Sequence, residues 1–119
     1  MGRRERQPQV DDRQRRRALN EAAFRQINER LRSLNEAFGE FSGRFSVVCE
    51  CDDSACVDEI SMTPAEYEGV RSKPVLFFVR PGHQSPAVET VVEERGEYYV
   101  VRKHEGEPAE IAEATDPRT

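Results

Sequence analysis

Residues 45–62, FSVVCECDDSACVDEISM, set three cysteines between two β-like runs. FSVVCEC (45–51) is rich in β-branched and aromatic residues and predicts a strand. Asp52, Asp53 and Ser54 supply turn chemistry. VDEISM (57–62) spaces Val57, Ile60 and Met62 in an imperfect alternation and predicts a second short strand. Residues i and i+2 of a strand project to the same side. Cys49 and Cys51 are therefore expected to form a pair of thiols on one face, with the turn folding Cys56 back toward them.

The full pattern is Cys49-x-Cys51-x4-Cys56, followed downstream by His83 and His104. Zinc takes tetrahedral thiolate and imidazole ligands, so three clustered thiols need one more group to close a site. His83 is the expected fourth ligand. Its turn, Arg80-Pro81-Gly82-His83, follows the apolar run VLFFV (75–79) and can bring a side chain to the end of a neighbouring strand. His104 heads an acidic tail and is the second candidate; Asp52, Asp53 and Asp58 rank below both. Free buried cysteines, an iron–sulfur cluster and a redox disulfide between Cys49 and Cys51 are the competing readings. Strand positions i and i+2 sit roughly 7 Å apart, which strains a disulfide. The expected cofactor is thus one structural Zn2+ on Cys49, Cys51, Cys56 and His83.

Such a closed Cys3His set leaves no position for water or substrate, which argues against catalysis. No H-x-E stands near a C-x-x-C, so the zinc-dependent nucleobase deaminase pattern is missing. The glycines are scattered and form no phosphate loop. The chain is read as no enzyme.

Upstream, Phe24, Ile27, Leu31, Leu34 and Phe38 are spaced 3, 4, 3 and 4, the a/d spacing of a helix seam. With Asp11 and Asp12 at its start and Gly39 and Gly43 at its end, this predicts a long amphipathic helix over 12–40, ending near Phe38. At 1.5 Å per residue it is roughly 40 Å long, longer than the small body it adjoins. Leu34 and Phe38 are therefore expected to pack on the body, and Phe24 and Ile27 to serve a second copy or a partner. Downstream, Thr63-Pro64-Ala65-Glu66 is a capping-box start for a short helix over 64–72. VETVVEERGEYYVVRK predicts a hairpin turning at Glu94–Glu97. The resulting fold class is α+β: a long N-terminal helix, then a zinc-stapled antiparallel β-rich domain (41–104) with one short helix. Residues 1–11 read as a disordered Arg-rich arm, and 105–119 as an acidic tail that frays.

Composition agrees with a staple. Only 36% of the 119 residues are hydrophobic, 34% are charged and none is Trp, so the core is marginal for a domain of this size. The net charge of -5 argues against a general nucleic-acid binder. Residues 1–17, however, hold seven Arg against Glu5, Asp11 and Asp12, which leaves nucleic acid as a less favoured partner for the arm. No apolar run is long enough to span a membrane, and the N-terminus lacks a secretory pattern. Three closely set cysteines make no disulfide framework, so a cytoplasmic setting is expected. Sixteen Arg against two Lys point to a GC-rich, bacterial coding sequence.

The segments INERLRSLNEAF, VVCECDDSACVDEISMTPAEYEGVR, FFVRPGH and EIAEATDPR resemble a group of small uncharacterised actinobacterial proteins, over most of residues 20–118. The resemblance implies the same Cys/His set and brings no established activity. The turn after Cys51, Asp-Asp-Ser-Ala, departs from the expected loop in having no Gly. The function expected is a zinc-stabilised interaction or regulatory module working through self-association or partner docking on the 24–38 stripe. The alternatives are a nucleic-acid-associated factor and a thiol-based redox or metal sensor.

Overall fold

The computed structural model describes residues 12–38 and 43–118, except the side chain of Phe38. The Arg-rich arm anticipated at 1–11 lies outside them. The chain folds as α1 (Asp12–Phe38), β1 (Phe45–Val48), β2 (Glu59–Met62), α2 (Pro64–Arg71), β3 (Leu76–Val79), β4 (Glu89–Glu94), β5 (Tyr99–Lys103) and α3 (Glu107–Ala114). This is the α+β class expected, with two short helices where one was anticipated. No helix among the described residues is long and apolar enough to cross a membrane.

The strands form two antiparallel sheets, β1-β2 and β3-β5-β4. In the first, Val47 pairs with Ile60 and both are buried. β1 ends at Val48 and β2 begins at Glu59, so both strands are shorter than the sequence predicts. The segment between them leaves the ladder to carry the cysteines, and Val57 is 78% exposed. β3 has no alternation: Phe77, Phe78 and Val79 are all buried, because helices and strands cover both faces of its sheet. Phe78 lies beside Tyr67 of α2 and Tyr98, at ring separations of 5.8 and 6.3 Å. Phe77 is covered by Arg25 of α1 and by Lys103, at 4.5 and 4.9 Å from its ring centroid. α2 starts with the capping box: Glu66 N donates to Thr63 Oγ1 and Thr63 N to Glu66 Oε1.

α1 docks mainly by a polar face about 110° round the helix from the centre of its apolar stripe, with Phe24 and Leu31 of the stripe half-buried at the edge of the contact. Its buried residues are Glu21, Ala22, Arg25 and Asn28, whereas Ile27 is 45% and Leu34 53% exposed. The expectation that Leu34 packs on the body is thus wrong, and the side chain of Phe38 lies outside the described residues. The cause is a polar row, Glu21, Arg25, Asn28 and Arg32, spaced 4, 3 and 4. Arg25 donates to the carbonyls of Pro74 (2.6 Å) and Ala112 (2.7 Å) and to Thr115 Oγ1 (3.1 Å). Asn28 bridges β1, donating to Val48 O and accepting from Val48 N, both at 2.8 Å. Lys103 Nζ lies 2.5 Å from Glu21 and 2.6 Å from Glu89, with all three side chains buried. Arg32 pairs with Glu68 at 3.3 Å. Buried polar groups are tolerated when most of their hydrogen-bonding atoms find partners, and in this row Arg25 Nε is the buried side-chain atom left without one.

The anticipated fraying of 105–119 is also corrected, because α3 forms there and packs on α1. Pro108 suits its first turn, Ala112 is buried, and its first acid, Glu107, is answered by arginine. Arg15 of α1 meets Glu107 at 2.7 Å, and Arg118 spans Glu29 and Glu68.

Candidate metal centre

The three thiols and one imidazole predicted to gather do gather. The Sγ atoms of Cys49, Cys51 and Cys56 and a ring nitrogen of His83 all lie within 4.8 Å of one another. All three cysteines are free and buried. Each arrives by a different local device. Cys49 continues the β1 ladder by one bond, its N–H donating to Asp58 O at 2.9 Å. Cys51 lies on the same side two residues on, with Glu50 turned the other way into the core. Cys56 is folded back by a turn in which Cys56 N donates to Asp53 O, and Asp53 Oδ1 accepts from Ala55 N. That Asx-type geometry replaces the glycine the loop lacks.

His83 comes from the other sheet. After β3 the chain turns with Pro81 and Gly82 in the middle, and His83 N closes the turn on Arg80 O at 2.9 Å. Gly82 has φ +94°, a backbone conformation that side chains disfavour, so glycine is needed here. The imidazole presents Nδ1 to Cys49 Sγ (3.5 Å) and Cys56 Sγ (3.7 Å). Its Nε2 lies 3.6 Å from Asp58 Oδ2. Arg80 N also points at Cys49 Sγ, 3.2 Å away, a donor placed to support negative charge on sulfur.

The other candidates do not join. His104 Nε2 pairs with Thr90 Oγ1 at 3.0 Å. Asp52 accepts from Ser85 Oγ at 2.6 Å and faces Arg17, and Asp53 serves the turn. Asp58 takes part only behind His83.

The thiols share charge unequally. Hydrogen bonding from Cys49 is the largest influence on Cys51 and pulls it down to about 5. The same bond, followed by burial, pushes Cys49 up, and burial pushes Cys56 up. One thiolate is thus favoured over a second, because like charges this close repel. A cation among the four groups reverses that balance, since coordination deprotonates thiols outright.

Glu50, which sequence reasoning overlooked, fixes the backbone between Cys49 and Cys51. It is fully buried and accepts from Arg71 Nη2 (2.5 Å), Asn28 Nδ2 (2.9 Å) and Phe78 N (3.3 Å). Arg71 is held in turn against the Tyr67 and Phe78 rings, 5.1 Å from each centroid. One carboxylate thus ties the cysteine segment to α1, α2 and β3. The only hint in the sequence was an acid placed mid-motif between two strand-like cysteines.

Fold and site together define an α+β domain carrying a Cys3His cluster at the junction of its two sheets. Compared with known protein families, curated proteins and solved structures, the chain matches none.

Proposed function

We propose that Cys49, Cys51, Cys56 and His83 hold one zinc ion as a structural staple. The stapled body is a cytoplasmic, non-enzymatic module that presents α1 to a protein partner. The observation that carries the metal is the closed set of three thiols and one imidazole within 4.8 Å. Metal–sulfur bonds of about 2.3 Å and a metal–nitrogen bond of about 2.0–2.1 Å give tetrahedral S–N edges of about 3.6 Å. The 3.5 and 3.7 Å separations of His83 Nδ1 from Cys49 and Cys56 fit that edge. Asp58 behind Nε2 matches the carboxylate that commonly orients a zinc-bound histidine. With all four positions taken by protein, the ion supplies binding energy and no chemistry on a substrate.

Its effect is architectural. Cys49 lies at the end of β1 and His83 follows β3, so the ion joins the two sheets. Next to Cys49, Val48 and Glu50 both bond Asn28, so the staple also steadies the seat of α1. The resemblance to the small actinobacterial proteins belongs with this reading and adds no reaction to it. Cobalt(II) titration of the reduced protein tests it: one equivalent should give intense thiolate charge-transfer absorption, bleached by one equivalent of zinc. Failure to take up metal with all three thiols reduced would end the proposal.

A further inference from the structure

α1 is fastened through its polar row, which leaves its apolar stripe only partly seated, with Phe24 and Leu31 half-buried and the outer residues exposed. Leu19 is 51%, Ile27 45% and Leu34 53% exposed. At roughly 100° per residue the polar row and the 24–38 stripe centre about 110° apart, so the body covers the stripe's inner edge and leaves its outer edge open. The outer flank of the stripe carries Arg16 and Arg30. Each acid on α1 is already engaged: Asp12 with Arg15, Glu21 with Lys103, Glu29 with Arg118 and Glu36 with Arg32. Among the described residues, Arg13, Arg16 and Arg30 make no ion pair.

A second copy is a poor occupant. In a heptad seam the flanking positions choose the partner. Here they are Arg16, Ala23, Arg30 and Ala37 on one side, and Asn28 and Asn35 on the other, with Glu21 buried beneath Lys103. Neither a parallel nor an antiparallel copy offers Arg16 or Arg30 an acid. The chain's own acidic helix α3 is seated elsewhere, on the far side of the polar row with Glu107 on Arg15. That contact shows α1 engaging an acidic helix by arginine to carboxylate.

We propose that the outer face of α1, Ile27 and Leu34 of the apolar stripe with Arg16 and Arg30 along its outer flank, docks an acidic amphipathic helix of a partner protein. The a/d spacing fits a helix, and the unanswered arginines require carboxylates at its edges. The inference rests on the proposed role of α1 as the presented surface, and it is independent of which metal the body holds.

The test uses the full metal-loaded chain and two synthetic helical peptides of about three heptads, with Leu at a and d and either Glu or Lys at e and g. Fluorescence anisotropy should show the Glu peptide binding at least roughly tenfold more tightly than the Lys peptide, an advantage that shrinks as salt is raised. The double variant Arg16→Glu/Arg30→Glu should reverse the preference. Ile27→Asp should abolish binding of both peptides while leaving metal content and the circular dichroism spectrum unchanged. Equal binding of the two peptides, or binding that survives Ile27→Asp, overturns the proposal. So does sedimentation showing self-association that Ile27→Asp removes, or tight duplex DNA binding indifferent to Ile27→Asp. Loss of metal with peptide discrimination intact would sink the zinc reading and leave the docking face standing; metal without discrimination would do the reverse.

Discussion

Replacing Arg25 by methionine removes a charge from the interior and should nevertheless destabilise the protein. The side chain is fully buried, and its guanidinium makes three hydrogen bonds, to Pro74 O, Ala112 O and Thr115 Oγ1. It also lies 4.5 Å over the Phe77 ring. Methionine keeps much of the aliphatic stem but removes the guanidinium donor from the buried Ala112 carbonyl and the half-buried Pro74 carbonyl. Each hydrogen bond to a charged group is worth roughly 1.5–3 kcal/mol, and a desolvated cation–π contact about 2. Against these stands the cost of burying a guanidinium, which shows in the lowered Arg25 pKa and the unbonded Nε. The net loss should be about 2–4 kcal/mol, since these contributions do not add. Two residues on, Ile27 is 45% exposed, and Ile27→Asp should cost only about 0.5–1 kcal/mol. Urea unfolding of both zinc-loaded variants against the parent gives the two values from shifts in midpoint at similar slope. An Ile27→Asp loss larger than the Arg25→Met loss would mean that the apolar stripe is core and that the docking of α1 described here is wrong.

His83→Ala should weaken zinc binding by more than the roughly 10–100-fold expected of the outer partner variant Asp58→Asn, while His104→Ala leaves it unchanged; competition with a chromophoric chelator measures all three. Gly82→Ala meets no atom within 4 Å but is forced to φ +94°, so it should lose roughly 1–2 kcal/mol by denaturation and also bind zinc more weakly as His83 shifts. Burial, with help from the charge of Glu89, pushes the Glu21 carboxyl up to about 7 against the pull of Lys103. A carboxyl raised in the folded state stabilises fully below its ordinary value of 4.5, and that contribution fades as pH rises through about 7. Stability of the parent relative to Glu21→Gln should therefore fall over that window, by up to about 3 kcal/mol at 1.36 kcal/mol per pH unit. A constant difference between the two proteins from pH 4.5 to 7 would rule the shift out.

The site was far more legible than the packing of α1. Three thiols in eight residues and a histidine behind Pro-Gly carry their geometry locally, in strand alternation and turn chemistry, so the four side chains were found from spacing alone. The same holds for the Thr63–Glu66 capping box and the β4–β5 hairpin. The docking face of α1 was misread because hydrophobic periodicity assumes that apolar residues face inward. Glu21, Arg25, Asn28 and Arg32 repeat at the same spacing as the apolar stripe, but their partners come from distant segments: Lys103, Pro74, Glu50 and Glu68. No local pattern announces a buried polar row whose partners lie that far along the chain. For α3, acidity suggested a fraying tail, yet Arg15 of α1 pairs with Glu107, and Arg118 beyond the helix ties the segment to Glu29 of α1 and Glu68 of α2. The strands ran short where the cysteines leave the ladder, as the Asp53 turn that gathers the thiols takes over from strand pairing.

Native mass spectrometry of the chain, purified under reducing conditions without chelator, bears hardest on the zinc staple. One zinc ion per chain is expected, with the mass lowered by the thiol protons it displaces, and collision or acid release of the ion should be accompanied by unfolding of the charge-state envelope. A compact, metal-free chain with three reduced thiols would contradict the staple, and iron in place of zinc would replace it with a different centre.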